Sequence, residues 1–470
     1  MPLRDFQIKE LPKTLPLRKL LGPSFIILGL GLGSGEIILW PYLTSNFGLG
    51  ILWGAVLGIT FQFFMNMEIE RYALANGESV FVGFARKLKW LPIWFLISTF
   101  LPWIWPGIAA SSSRIFSELF GISNPQHSNY LTVGFLILMG LILSLGPILY
   151  KTVENLQKTL ILIGVPSFFT LAIMLAKPVD FVELAQGIVG IGNNYFLLPA
   201  GISLTSFLAA LAYAGAGGNL NLAQSFYIKE KGYGMGKYAG RITSLLTGKA
   251  ENISITGSKF EETPENISEF KKWWKNVNTE HFVVFWLTGA LTILFLGLLA
   301  YTTTYGMPSN KNDITFVINE ATAIGQRTIP ILGSFFLLIT GLALFGTQLT
   351  VFDATSRILS ENLVLTKPNN LNEKSMRKFY YGVLWAQIIT ASLVVLFGIS
   401  QPKQLLIISA VLNAFAMFIH SGLTLWLNHT LLHKSVRPNV FRTSVMILAF
   451  VFYGGFSIYT FIIEIQKFLA

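Results

Sequence analysis

The sequence predicts an all-α membrane protein of about eleven transmembrane helices, built as two five-helix units and one further helix. Three observations predict it. The composition is too apolar for a soluble domain, apolar runs near membrane-spanning length recur down the chain, and two of those runs carry glycine clusters at corresponding places. Of 470 residues, 53% are hydrophobic and 12% charged, against roughly 25% charged in soluble domains. A run of about 20 apolar residues crosses a bilayer as a helix. Only helices or closed barrels satisfy their backbone polar groups in lipid, and these runs are continuous rather than alternating, which selects helices.

The runs fall at 23–46, 50–75, 90–120, 130–149, 156–176 and 199–227, then at 281–305, 329–357, 379–399, 405–428 and 444–463. A polar insert occupies 228–279. The expected division is a segment 1–20, a first repeat at 21–176, a second at 199–428 carrying the insert, and a final helix at 443–470. The basic start of the chain has no small-residue cleavage site behind its first apolar run, so no signal peptide is expected.

Loop charges test the count. Arg4, Lys9, Lys13, Arg18 and Lys19 precede the first run, and Arg86, Lys87 and Lys89 follow the second. Lys151 and Lys158 follow the fourth, and Lys229, Lys231, Lys237 and Arg241 the sixth. Lys367, Lys374, Arg377 and Lys378 follow the eighth, and His433, Lys434, Arg437 and Arg442 the tenth. The alternate loops are poorer: 121–129 has no Lys or Arg, and 400–404 only Lys403. Because Lys and Arg collect in cytoplasmic loops, this alternation predicts a cytoplasmic N-terminus, an outside C-terminus and a plasma (inner) membrane location. It also explains the formal charge of +11 without nucleic acid as a partner; the expected partner is the bilayer. The absence of cysteine excludes disulfides and thiolate chemistry. In the insert, Lys271-Lys272-Trp273-Trp274-Lys275 reads as an interfacial segment. Asn252 and Asn266 head glycosylation-type triplets that stay unmodified on the inner face.

The first run holds Gly29, Gly31, Gly33 and Gly35, then Glu36. The sixth reads Tyr213-Ala214-Gly215-Ala216-Gly217-Gly218-Asn219. Glycine costs about 1 kcal/mol against alanine inside a helix, and an intramembrane carboxylate costs more unless paired. Two such runs, five spans apart, are the pattern of inverted repeats whose first helices are discontinuous, where unwound backbone holds ions or small solutes at the midplane. The bland alternative is that small residues let helices pack closely.

At these residues the sequence resembles the Nramp family of divalent metal transporters. Gly22-Pro23-Ser24-Phe25 is similar to the family's opening, Asn219-Leu-Asn-Leu-Ala-Gln-Ser225 to its sixth helix, and Gly341-Leu-Ala-Leu-Phe-Gly-Thr-Gln348 to its eighth. The resemblance covers most of the chain and implies a LeuT-like five-plus-five inverted repeat working by alternating access. It implies a substrate site at Gly33, Glu36, Ala216 and Asn219, with backbone carbonyls of Leu30 and Tyr213 and the amide of Gln348 nearby. Glu36 and Asn219 would be the metal ligands. The departures are specific. The family's Asp-Pro-Gly-Asn is here Gly33-Ser34-Gly35-Glu36, and its Met-Pro-His-Asn is Ala216-Gly217-Gly218-Asn219. A thioether favours soft metals and oxygen ligands suit hard ones, so selection for Mn or Fe over Mg should weaken. A partly hydrated ion suits a single carboxylate.

The resemblance implies no cofactor; the cargo is a divalent cation (Mn, Fe or Mg), with protons as coupling ion. The family's third-helix Asp falls near Arg114, and Glu118, four residues on, is placed to pair with it. Asp353 and Arg357 are likewise four apart, as a static pair or a gate element. Glu68, Glu70 and Arg71 lie at the inner end of the second run, and His420 is alone in the tenth. No zinc spacing, phosphate loop or nucleophile motif is present, so no enzyme activity is expected. The open alternative is a carrier of the same fold for an amino acid or other small organic solute, because half-helix N-termini suit a carboxylate.

Overall fold

Long apolar runs become long helices because a helix pairs its backbone N–H and C=O groups within its own segment, as lipid requires. The structure, a computed structural model, describes residues 3–145, 149–240, 242, 254–311, 313–366, 375–398 and 401–469. Arg241, Asn252, Lys367 and Lys374 lie outside the described residues. Among the described residues, ten helical stretches are long and apolar enough to cross a membrane. An eleventh crossing, the sixth in order, escapes a length criterion because it is broken.

The first crossing is α1 (Pro23–Gly31), a π-helical turn (Leu32–Leu39) and α2 (Trp40–Phe47). The second is α3 (Trp53–Asn76), ended by Gly77 at φ +62°; the Ser79 hydroxyl then caps α4 (Val80–Lys87). The third is α5 (Leu91–Trp103) and α6 (Gly107–Leu119), parted beside Pro102 and Pro106, which lack an N–H to carry the ladder. Next come α7 (Pro125–Leu145), α8 (Leu149–Leu175) and a short surface helix, α9 (Pro178–Ile188). The broken crossing is α10 (Leu204–Ala212), a 3₁₀ stretch (Gly218–Ala223) and α11 (Gln224–Lys231). It runs the depth of α3: Phe207 packs on Trp53 at one end, and Lys231 Nζ donates to the Leu21 carbonyl at the other, 3.2 Å away.

The seventh crossing joins α12 (Pro264–His281), a second π-helical turn (Phe282–Leu287) and α13 (Thr288–Thr304). After α14 (Thr315–Arg327) come α15 (Pro330–Leu365), α16 (Met376–Leu396), α17 (Pro402–Leu431) and α18 (Val440–Leu469). At 36 residues, α15 is about 54 Å long. It outruns the hydrocarbon core of roughly 30 Å and carries Asp353, Arg357 and Glu361 to the N-terminal face.

The insert departs from the expectation of an interfacial segment. Its helix α12 continues into the seventh crossing and clasps the N-terminal strand of chain. Trp273 is buried and donates to the Pro12 carbonyl at 2.7 Å, Asn276 donates to Leu15, and Gln7–Ile8 pairs in parallel with Ser258–Lys259. Trp274 packs beneath the guanidinium groups of Arg71 and Arg442. Trp273 therefore fills protein, because the N-terminal strand gives it a dry partner, while Trp274 stays half-buried. Asn266 is in the first turn of α12, where its backbone N–H meets the Thr263 cap at 3.2 Å.

Candidate functional site

The two glycine clusters meet at the centre of the bundle and do opposite things. Around the first, every turn stays helical. A methyl on Gly35 would overlap the Tyr213 carbonyl, one on Gly31 would come within 2.7 Å of Gly215 Cα, and one on Gly33 would strike Thr347 of α15. Thr347 Oγ1 donates to the Gly29 carbonyl at 2.7 Å. These glycines exist for close approach. The expectation of unwound backbone here is corrected: the α register is interrupted by a π turn, and Leu30 lies inside regular α1, so its carbonyl is not freed for an ion.

The second cluster does unwind. Gly215, Gly217 and Gly218 take φ of +139°, +75° and +56°, a region that side chains on Cβ disfavour. Gln62 of α3 clamps the gap: its Nε2 donates to the Ala212 carbonyl and its Oε1 accepts from the Gly217 N–H, both at 3.0 Å. His420 Nε2 lies 3.0 Å from the Gly218 carbonyl. Much of the polar backbone released by the break is therefore already paired. Buried Ala216 sits between the strained glycines, and the Tyr213 hydroxyl is held by Ser409 at 2.6 Å and Asn413 at 3.0 Å.

Glu36 and Asn219 do not converge. The Asn219 amide turns to α5 and donates to Ser98 Oγ at 2.8 Å and Thr99 Oγ1 at 2.9 Å. Glu36 lies within the π turn, which swings its side chain toward α13: its Oε1 lies 3.5 Å from where a Gly289 Cβ would stand. Both Glu36 oxygens are buried without a hydrogen-bond partner, as is Asn219 Oδ1. Among the described residues no cluster of three His, Asp or Glu side chains could hold a metal ion. Gln348 is buried on α15, beside Thr347.

The sequence spacing had a signal that a search for glycines passed over. Gln62, Asn66 and Glu70 recur every four residues and so form one stripe on α3. Gln62 holds the break. Asn66 is buried with neither amide atom paired, and Glu70 accepts from Gln224 of α11 and lies 3.2 Å from His281 Nδ1. His281 in turn meets Ser24 at 2.7 Å, and Ser24 donates to Glu280. A chain of buried polar groups thus leads from the break toward the N-terminal face.

The other charged residues singled out in the sequence separate into three outcomes. Arg114 and Glu118 do not pair: Glu118 is exposed, while Arg114 faces a cleft on the far side of the bundle, because α6 turns the two side chains to different neighbours. Asp353 and Arg357 do pair, at 2.9 Å, and Glu230 and the Tyr380 hydroxyl complete a buried network. Glu68 binds Arg71 at 2.7 Å and Arg442 at 3.4 Å, fastening α3 to α18.

The structure is thus a helical bundle with one helix broken at its centre, a buried unpaired acid and a polar stripe. The chain is similar over nearly its whole length to crystal structures of a manganese transporter from Eremococcus coleocola. A histidine-to-alanine variant of that protein superposes with a TM-score of 0.70 at 14% identity, covering 99% of this chain and 92% of that one. A glutamate-to-glutamine variant gives 0.69 at 14% identity, covering 99% and 91%. Its complex with an aromatic bis-isothiourea substituted compound gives 0.67 at 13%, covering 99% and 92%. No family model and no curated protein sequence matches the chain. The fold is Nramp-like.

Proposed function

We propose that this chain carries a divalent metal cation across the membrane by alternating access, with Glu36 as the anionic centre of the transport site. One observation supports the reading above others: a fully buried carboxylate whose two oxygens have no partner. A lone buried charge costs several kcal/mol, and intramembrane acids of this kind mark ion pathways. With one carboxylate and no thioether, the ion keeps part of its water, so Mg should pass at least as readily as Mn or Fe. Asn219 Oδ1, Gly33, Ala216 and the Tyr213 carbonyl border the central region and contribute after the rearrangement that opens it. Gln348 lines it in the same reading, and Arg114 and the Asp353–Arg357 pair border its two ends. Protons or the membrane potential drive the cycle.

In this reading 21–176 and 199–428 are inverted repeats, the N-terminus is cytoplasmic and the C-terminus outside, in the plasma (inner) membrane. Uptake into proteoliposomes tests the site. Glu36→Gln should abolish Mg and Mn uptake while the protein stays monodisperse; unchanged uptake would remove the cation reading. The carrier of an amino acid or other small organic solute is favoured by one other observation, the basic cleft on the far face, which draws carboxylates and repels divalent cations. Uptake of an amino acid in the same vesicles, indifferent to Glu36→Gln, would select it.

A further inference from the structure

The far face of the bundle, opposite the N-terminus, holds a cleft of about 540 Å³. Its walls come from four separate pieces of chain: α6, the first turns of α7, the segment entering α14 and the start of α17. Arg114, Lys311 and Lys403 all line it, and its one acid is Asp313. Three cations against one carboxylate leave a formal charge of +2. A solvated charged surface would place its carboxylates beside its cations. Here, among the described residues, Arg114, Lys311 and Lys403 form no ion pair.

Asp313 Oδ1 accepts the backbone N–H of Lys403 at 2.9 Å, and its carboxyl feels the charges of both Lys403 and Arg114, so it offsets one of the three cations. Lys403 is held in place rather than free to swing. Lys403 Nζ donates to the Lys311 carbonyl at 2.7 Å and lies 4.6 Å from the centre of the Tyr42 ring, which leaves its other protons for a ligand. Arg114 is half-buried on α6, and its planar fork matches an oxyanion in two-point contact. Asn129 and Gln404 add amide groups to the rim.

We propose that this cleft is a binding site for a small oxyanion, a carboxylate or a phosphate-type group, gripped by Arg114 and Lys403 with Lys311 at its edge. The site is separate from Glu36 and does not depend on what the centre of the bundle carries.

The test uses the purified full chain in detergent, titrated with sodium succinate, phosphate or sulfate at an ionic strength matched with sodium chloride. Thermal unfolding and calorimetry are both read. One or more of the three should bind saturably and raise the melting temperature above the chloride control. The double variant Arg114→Gln/Lys403→Gln should weaken binding at least tenfold, and Asp313→Asn should tighten it severalfold. Preference for succinate identifies a carboxylate site and preference for phosphate a phosphate site. Lys311→Gln, at an exposed position, should weaken binding severalfold and keeps the test valid if the double variant is misfolded. Glu36→Gln should bind the anion as the parent does, so failure of the cation reading leaves this result standing. Equal stabilisation by chloride, or binding unchanged in Lys311→Gln and in the double variant, would mean an adventitious ion only and would overturn the proposal.

Discussion

The first and sixth crossings carry the same kind of sequence and fold differently. Both concentrate glycine at the bundle centre, and both follow it with a polar side chain. In the first crossing the missing side chains let helices touch: Gly31 lies on Gly215, Gly33 on Thr347 and Gly35 on the Tyr213 carbonyl. In the sixth, the glycines are used for their torsion angles, three of them at positive φ. The difference teaches that a glycine cluster in a membrane helix has two physical uses, contact and conformation. Spacing hints at which applies. Alternate glycines separated by leucine or serine keep enough side chains to stay wound. Gly215-Ala216-Gly217-Gly218 has no such support, and Gln62 and His420 stand ready to take the released backbone groups.

The comparison is open to breakage on both sides. The largest effect is expected at Gly35→Ala, whose methyl would meet backbone that cannot rotate away. A loss of about 3 kcal/mol or more should be read as a collapse in monodisperse yield and melting temperature. If Gly35→Ala folds as well as the parent, contact is not what that glycine provides. Gln62→Leu comes next. It leaves the Ala212 carbonyl and the Gly217 N–H unpaired, at roughly 2–3 kcal/mol. Thermal unfolding should drop accordingly, and hydrogen exchange should rise at 212–218 while α1 stays protected. Exchange rising equally along α1 would mean that the two crossings yield together. The smallest effect is His420→Phe, which removes one partner from the Gly218 carbonyl at about 1 kcal/mol. Its melting temperature should fall less than that of Gln62→Leu; the reverse order would make His420, not Gln62, the chief support of the break.

The crossings themselves were legible in the sequence, because each needs a run of apolar residues and the loops between them carry a charge bias. Ten of eleven meet a simple length criterion; the eleventh fails it only because Gly215–Gly218 divides it. The site was less legible. Glu36 and Asn219 stand at corresponding places in sequence, yet the π turn adds a residue's worth of rotation and sends Glu36 toward Gly289 rather than across to Asn219. A π turn has no residue signature comparable to a proline or a capping box. The pairing of Arg114 with Glu118 failed for a related reason: a spacing of four allows contact, and a basic cleft on one side and solvent on the other decide whether it forms.

The sequence by itself determined that this chain lives in a membrane, about how many times it crosses, and where its two glycine-rich weak points lie. Those follow from solvation and backbone energetics, which act residue by residue. Only the tertiary structure decided that the first helix stays wound, that Trp273 covers the N-terminal strand instead of the bilayer, and that the buried acid and the amide face different helices. Each depends on which neighbour is at hand to fill a gap or accept a hydrogen bond, and neighbours in space are what a linear pattern does not contain.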